Sequence, residues 1–252
     1  MPTVLLAYGM VIDSDRAGPV TGANRPDHAL VFWNEHCARQ LVDALERAAA
    51  QVVQVASQDA SSQEVEDAIT ASGSVDILVV FGHCSPPPPT PLIWNRRKNP
   101  RGELFDKETM RAASMAIQVL LGCHSLIHFQ TAAGESGVLA VVGFWDRAYT
   151  PAVLSNPFLA EFDGDQQKQV IGLYRTLFVD LAVFLVGSLF ASPGSSRGTT
   201  GQCSQLIKVM KQQVRQAAGQ CGRLYRQTGN LRFFEHRQYL LRNADSLGCL
   251  PS

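Results

Sequence analysis

VDILVVFGH (residues 75–83) and AIQVLLGCHS (residues 116–125) are the stretches that decide the fold of this chain. Both are short, continuous apolar runs rich in Val, Ile and Leu, a pattern typical of strands buried on both faces of a parallel sheet. One run ends in His83 and the other ends in Cys123. Open α/β sheets gather their ligands outside the carboxyl ends of the strands. We therefore expect an imidazole and a thiol to meet at one edge of the sheet.

Strand and helix patterns alternate around these two runs over the first 150 residues. Further strands are expected at Thr3–Tyr8, Gln51–Ala56 and Val138–Phe144, and helices at about Leu30–Ala49, from Ser61 to before Gly73, and at about Asp106–Ala113. The segment 84–105 contains four consecutive prolines at 86–89. It is predicted to hold neither strand nor helix, because proline lacks the amide hydrogen and fixes φ. This alternation indicates a mostly parallel sheet with helices on both faces.

The pattern becomes helical after Pro151, and residues 166–252 are expected to extend an α/β domain formed by residues 1–165. The expected elements are one or two helices over Asp165–Phe190, a flexible linker at 191–202, an amphipathic helix through Leu206–Leu224 and a final helix at about Leu231–Arg242. From Arg197 onward the chain has nine Lys or Arg residues and two acidic residues, which makes this tail basic. We expect it to pack on the acidic remainder of the chain.

Composition and cysteine usage exclude several classes of protein. The chain is 46% hydrophobic over 252 residues, too apolar for a disordered protein. Six cysteines without a Cys-x-x-Cys pair, and an N-terminus without a signal-peptide pattern, indicate reduced thiols in the cytoplasm. The apolar stretch 170–190 is long enough to span a membrane, but Arg175 and Asp180 inside it favour a buried helix.

Three segments together resemble the caspase-like cysteine peptidase superfamily, with CHAT-domain and metacaspase-like proteases as the nearest members. DILVVFGH (76–83) resembles that family's DxLxxxxGHG segment, LLGCHS (120–125) its CHS or CxS segment, and GVLAVVGFWD (137–146) the GAxxVIGxxW strand of CHAT domains. The resemblance covers about residues 3–150. It implies an α/β, caspase-hemoglobinase-like fold, in which a mostly parallel sheet is flanked by helices and followed by a helical C-terminal extension.

The resemblance also implies a function, that of a regulated cysteine endopeptidase (a thiol protease) with few substrates. Cys123 would be the nucleophile of an acyl-enzyme mechanism, His83 would assist it, and the backbone amides of Cys84 and Cys123 would hold the oxyanion. No metal or organic cofactor is implied. The implied partners are a protein or peptide substrate and an activating protein, and the linker around Arg197 is an exposed place for self-cleavage.

Two positions depart from the family pattern. The family's Gly after the His is Cys84 here, so a positive φ at this position would be strained by roughly 1–2 kcal/mol. The acidic residue that precedes the nucleophile in metacaspases is Leu121 or Gly122 here, so a preference for cleavage after basic residues is unsupported. Asp146, at the end of the strand 138–144, is the acidic residue that we expect to bind substrate.

Other classes of function stay open at this point. The chain could be a catalytically silent caspase-like interaction or scaffold module that uses its basic tail. A zinc-dependent cell-wall amidase is suggested by Glu35, His83 and Pro-Ala-Val-Leu at 151–154, and a structural zinc site by His83, Cys84, Cys123 and His124. His124 and His128 are otherwise expected on a helix surface. Binding to nucleic acid is disfavoured, because the basic tail carries no recognition motif.

Overall fold

The structure is a computed structural model that describes residues 1–11, 27–84, 92–95, 102–150, 162–189 and 200–251. Its strands are β1 (Thr3–Gly9), β2 (Gln51–Ser57), β3 (Ile77–Phe81), β4 (His83–Cys84), β5 (Ile93–Trp94), β6 (Glu103–Phe105), β7 (Ile117–Leu121), β8 (Ala140–Phe144) and β9 (Leu247–Pro251). Six of them form a central sheet in the order β2-β1-β3-β7-β8-β9. The first five run parallel, and β9 pairs antiparallel with β8. The predicted mostly parallel sheet is thereby confirmed.

Helices cover both faces of this sheet. They are α1 (His28–Phe32), which continues through a π-helical segment (Trp33–Ala38) into α2 (Arg39–Arg47), then α3 (Ser62–Ser72), α4 (Lys107–Ala112), α5 (Ser125–Ser136), α6 (Gly164–Phe178), α7 (Asp180–Leu189), α8 (Thr200–Thr228) and α9 (Leu231–Ser246). Successive residues of β1 face opposite cores, since Val4 and Leu6 pack on one face and Leu5 and Ala7 on the other. This two-sided burial explains why the central strands are continuous apolar runs.

The start of α3 has the geometry that its sequence predicts. The Ser61 hydroxyl accepts a hydrogen bond from the Glu64 amide at 3.4 Å, and the Glu64 carboxylate accepts one from the Ser61 amide at 2.9 Å. These two bonds form a capping box, which satisfies backbone donors that the first turn of a helix leaves open. Gly73 follows the helix with a φ of 68°. Glycine adopts this conformation readily because it has no Cβ atom.

The prediction that 84–105 holds no strand was wrong. β4, β5 and β6 form a small antiparallel sheet that begins at His83. The prolines at 86–89 lie outside the described residues. Proline disfavours regular structure only at its own position. β4 before the proline segment and β5 after it pair with each other.

The C-terminal segment contributes a strand as well as helices, which the sequence analysis missed. β9 follows α9 directly and covers the edge of β8, where a bare strand would leave backbone groups unpaired. α8 begins at Thr200, inside the linker predicted at 191–202. Residues 190–199, with the cleavage place expected at Arg197, lie outside the described residues.

The predicted helices over Asp165–Phe190 are α6 and α7, which meet at Val179. The stretch Gly164–Ser188 is long and apolar enough to cross a membrane, by length and composition alone, and just over half of its most apolar window is buried. Leu177 and Leu185 from these helices share a core with residues of β1, β3 and β8. The apolar side chains therefore have a packing role in this fold.

A buried histidine of α9 makes the stability of the fold sensitive to acid. His236 is fully buried, its Nδ1 lies 3.1 Å from the Tyr174 hydroxyl, and its Nε2 has no hydrogen-bond partner among the described residues. Burial, with a smaller contribution from Arg232, lowers the pKa of His236 to about 4. Because an unfolded histidine protonates near pH 6.5, the unfolded state binds more protons between about pH 6.5 and pH 4.

We expect the free energy of unfolding to fall by about 2–3 kcal/mol between pH 7.5 and pH 4.5 through this one group. Urea unfolding at the two pH values measures the difference. The variant His236→Gln keeps a hydrogen-bonding side chain beside Tyr174 but does not titrate, so its pH dependence should be smaller by this amount. An unchanged pH dependence in the variant would show that His236 is not the responsible group.

Candidate active site

The candidate site lies where β3 and β7 end side by side. Phe81 of β3 pairs in register with Leu121 of β7, and each is followed by one glycine and then by a predicted site residue. A Cβ atom on Gly82 would lie 2.4 Å from the Trp94 carbonyl oxygen. Glycine at this position lets the small sheet lie against the end of β3. The structure therefore brings His83 and Cys123 to neighbouring strand ends at one edge of the sheet.

Cys123 stands in the turn between β7 and α5. The next residue, His124, has φ 56° and ψ 19°, a left-handed conformation that is uncommon for a residue with a side chain. Its amide donates to the Asp146 carbonyl oxygen at 2.8 Å, which fixes the turn. Backbone conformations of this kind cluster at functional sites.

The surroundings of Cys123 raise the pKa of its thiol. Its Sγ donates a hydrogen bond to the Ala148 carbonyl oxygen at 3.8 Å. Burial raises the pKa of the Cys123 thiol, and the Asp146 carboxylate adds to the rise, whereas the Ala148 backbone and Arg147 oppose it. Among the described residues, no hydrogen bond joins Cys123 to His83.

His83 is held by Asp27, a residue that the sequence analysis missed. The two carboxylate oxygens of Asp27 lie 2.9 and 3.0 Å from the His83 Nε2. Asp27 precedes α1, and its side chain also accepts the amide of Leu30 at 3.2 Å. The sequence contains one signal for Asp27, since Asp at the start of a helix is a favoured N-cap residue. This helix follows β1, and β1 is the neighbour of β3 in the sheet.

Cys84 lies in β4 and does not adopt the positive φ that would strain a residue with a side chain at this position. Ala49 and His124 are the non-glycine residues with positive φ among those described, so Cys84 has ordinary extended backbone. Its Sγ lies 2.8 Å from the place where a Cβ atom on Gly122 would stand. Burial, and the proximity of Cys123, raise the pKa of the Cys84 thiol. Both cysteines are free thiols.

Asp146 follows β8 and lies beside the Cys123 turn. Its Oδ1 is 3.7 Å from the His124 Nδ1, and its amide donates to the Ser246 hydroxyl at 2.7 Å. The Asp146 side chain is 68% exposed, so a substrate could reach it. His124 and His128 lie at the start of α5 with ring centroids 6.4 Å apart, and both are half-buried.

The described residues contain no group of three or more His, Cys, Asp or Glu side chains that could hold a metal ion. The four ligands considered for a structural zinc site, at His83, Cys84, Cys123 and His124, therefore do not form such a group. Glu35, the ligand considered for an amidase, lies 3.8 Å from its neighbour His36. The amidase segment 151–154 lies outside the described residues.

The geometry at the ends of β3 and β7 is the basis for a functional assignment. It combines a half-buried thiol, an imidazole held by a buried carboxylate, and an exposed acidic side chain at one sheet edge. No protein-family model, no curated protein and no solved structure matches this chain.

Proposed function

We propose that this chain is a cysteine endopeptidase with a caspase-hemoglobinase-like fold. The observation that carries the proposal is the placement of His83, held by a carboxylate, at the strand end next to that of Cys123. A thiol and an imidazole at neighbouring strand ends are the two groups that cysteine nucleophilic catalysis needs. The helices on both faces of the sheet and the extended backbone of Cys84 support the same assignment.

The reaction starts when His83 takes the proton of the Cys123 thiol. The thiolate sulfur attacks the peptide carbonyl carbon, and the resulting oxyanion is held by backbone amides, for which Cys84 and Cys123 are the candidates. The C–N bond then breaks, and the leaving amine takes the proton from the His83 imidazolium. Water attacks the thioester with His83 again acting as base, which releases the carboxylate product and restores the thiol. Asp146 would contact the substrate beside this centre.

Regulation follows from the arrangement of the thiol. The Cys123 thiol donates its hydrogen bond to the Ala148 carbonyl oxygen and not to His83. In this proposal the described state is therefore a resting state. A substrate or an activating protein that displaces Ala148 would free the thiol to approach His83. Loss of the present burial would also lower the pKa of Cys123, because burial is the main cause that raises it.

Covalent capture with peptidyl acyloxymethyl ketones tests the proposal. These compounds present a peptide carbonyl together with a leaving group, and a panel of them samples different side chains before the reactive carbon. We expect one adduct at Cys123, formed at least about tenfold faster than at any other cysteine, since a thiol assisted by an imidazole reacts as thiolate. Intact mass and peptide mapping identify the modified residue.

Two sets of variants control this experiment. Cys84→Ser and Cys249→Ser should keep the adduct, whereas Cys123→Ala should lose it and His83→Ala should form it slowly. Labelling of Cys123 at the rate of Cys249, unaffected by His83→Ala, would refute the peptidase assignment.

A second candidate function is a catalytically silent caspase-like module that binds other proteins. The raised pKa of the Cys123 thiol favours it, as does the fact that, among the described residues, this thiol donates to Ala148 and not to His83. This alternative predicts that no member of the electrophile panel modifies Cys123 selectively, and the capture experiment therefore separates the two functions.

A further inference from the structure

We infer that Asp27 is the positioning residue of this site: its carboxylate holds the Nε2 edge of His83 and leaves Nδ1 to accept the proton of Cys123. The inference rests on the proposed function. It adds a third side chain, from the start of α1, to the two that the strand ends supply. Asp27 does not touch the reacting atoms and acts through His83.

The contact between Asp27 and His83 is specific in geometry. Both carboxylate oxygens are within 3.0 Å of Nε2, and the Asp27 side chain is 1% exposed while that of His83 is 26% exposed. A buried carboxylate must be paired or hydrogen-bonded, because its transfer out of water is otherwise very unfavourable. His83 is one of the partners of this buried carboxylate, beside the amide of Leu30.

Contacts around α1 and β3 hold both Asp27 and His83 in place. The Val31 amide donates to the Asp27 carbonyl at 3.0 Å, which ties Asp27 to the first turn of α1. The π-helical segment that follows places Trp33 on Phe81, with the two rings stacked at a centroid distance of 4.5 Å. Phe81 ends β3 two residues before His83, so the stacked pair connects the helix that Asp27 caps to the strand that His83 follows.

This pairing selects one tautomer of the imidazole. The carboxylate accepts the Nε2 proton, so the lone pair of neutral His83 resides on Nδ1. When His83 takes the thiol proton, both ring nitrogens carry hydrogen, and the adjacent carboxylate stabilises the imidazolium. An uncharged amide at position 27 would remove that stabilisation and could donate to Nε2, which would place the proton on Nδ1 instead.

Asp27→Asn tests the inference. Asn serves as well as Asp at a helix N-cap, so α1 should be kept while the charge is lost. We expect kcat to fall by about 10²–10⁴-fold with little change in KM, as is typical when a catalytic imidazole loses its correct proton arrangement. The ¹⁵N chemical shifts of the His83 ring should change from the Nε2–H tautomer to the Nδ1–H tautomer or to a mixture. This second readout does not depend on turnover.

Asp163→Asn is the matched control. Asp163 caps α6 by accepting the amides of Asp165 and Gln166 at 3.0 and 2.8 Å, but it is exposed and does not contact the site. It should leave kcat and the His83 ring shifts unchanged. Asp27→Ala, which also removes the cap, should lower the unfolding temperature in addition to the effects of Asp27→Asn.

The outcomes separate this inference from the proposed function. An active enzyme whose kcat and His83 ring shifts are insensitive to Asp27→Asn would overturn the role of Asp27. If no acyloxymethyl ketone captures Cys123 selectively but Asp27→Asn still changes the His83 tautomer, the positioning of His83 by Asp27 is supported and the peptidase is refuted.

Discussion

Replacing His83 with Ala is expected to lower kcat for peptide hydrolysis by about 10²–10⁴-fold, the usual range for the loss of a general acid–base group. Cys123→Ala should abolish acyl-enzyme formation at this site, because it removes the sulfur that the proposed mechanism uses as nucleophile. The double variant should lose no more than Cys123→Ala alone, since residues that act as a unit have non-additive effects. Steady-state and burst-phase kinetics, on a peptide selected from the capture panel, measure all three.

His128→Ala is the matched control for the loss of an imidazole. His128 lies near the site on α5 and is half-buried, but it has no role in the proposed mechanism. Its kcat should stay within a factor of about two of the wild type, well inside the loss expected for a general acid–base group. An equal loss of kcat in His128→Ala and His83→Ala would show that the site is sensitive to any change near α5, and would contradict the assigned role of His83.

The residual activity of His83→Ala should depend on pH in a defined direction. Without the imidazole, the thiolate of Cys123 must form by direct loss of its proton to solvent. Burial raises the pKa of this thiol above its ordinary value of 9.0, so the residual rate should still be increasing at pH 9. The wild-type rate should level off at a lower pH, because His83 supplies the base.

The central strands could be predicted from sequence because their signal is local. These strands are buried on both faces, so nearly every position is apolar, Gln118 of β7 being an exception, and the run is visible without knowledge of its partners. β3 and β7 also place their last residues at a common edge once they are taken as parallel. Position at that edge is all that the sequence could establish for His83 and Cys123.

The small sheet and the edge strand could not be predicted, because their signals are not local. β4 and β5 have two residues each, too few for any periodicity, and their pairing spans the proline segment. β9 is one short apolar stretch at the end of the chain, and it becomes a strand by pairing with β8, more than a hundred residues earlier. Antiparallel partners so far apart leave no pattern in a local window.

Asp27 was missed for a related reason. In sequence it is one of several polar residues after a Gly- and Pro-rich loop, and its partner His83 is 56 positions away. Its N-cap role is predictable from the helix that follows. Its contact with His83 depends on the order of β1 and β3 in the sheet and on the stacking of Trp33 on Phe81, both of which are tertiary features.

Ser125, the serine of the CHS segment, has a structural role at the ends of β7 and β8, and this role can be tested. The Ser125 hydroxyl donates to the Leu120 carbonyl oxygen at 2.9 Å and accepts the Phe144 amide at 3.0 Å. It therefore connects the end of β7 to β8, two residues after Cys123. Gly143 makes room for this hydroxyl, since a Cβ atom there would lie 2.4 Å from it and 3.0 Å from the Leu120 oxygen.

Gly143→Ala is expected to lower the free energy of unfolding by about 2–4 kcal/mol, from overpacking and from the loss of a buried hydrogen bond. Gly134→Ala is the matched control within α5, because a Cβ atom there would meet nothing within 4 Å. That change should raise stability by about 0.5–1 kcal/mol, as expected for Gly to Ala in a helix. Urea unfolding measures both.

The variant pair Gly143→Ala and Ser125→Ala identifies the cause of this loss. Ser125→Ala removes the oxygen that the new methyl group would meet, but it also leaves the Phe144 amide without its acceptor. The double variant should therefore be more stable than the sum of the two single losses predicts, by a coupling energy of about 0.5–3 kcal/mol. Additive losses would mean that Gly143 and Ser125 stabilise the strand ends independently.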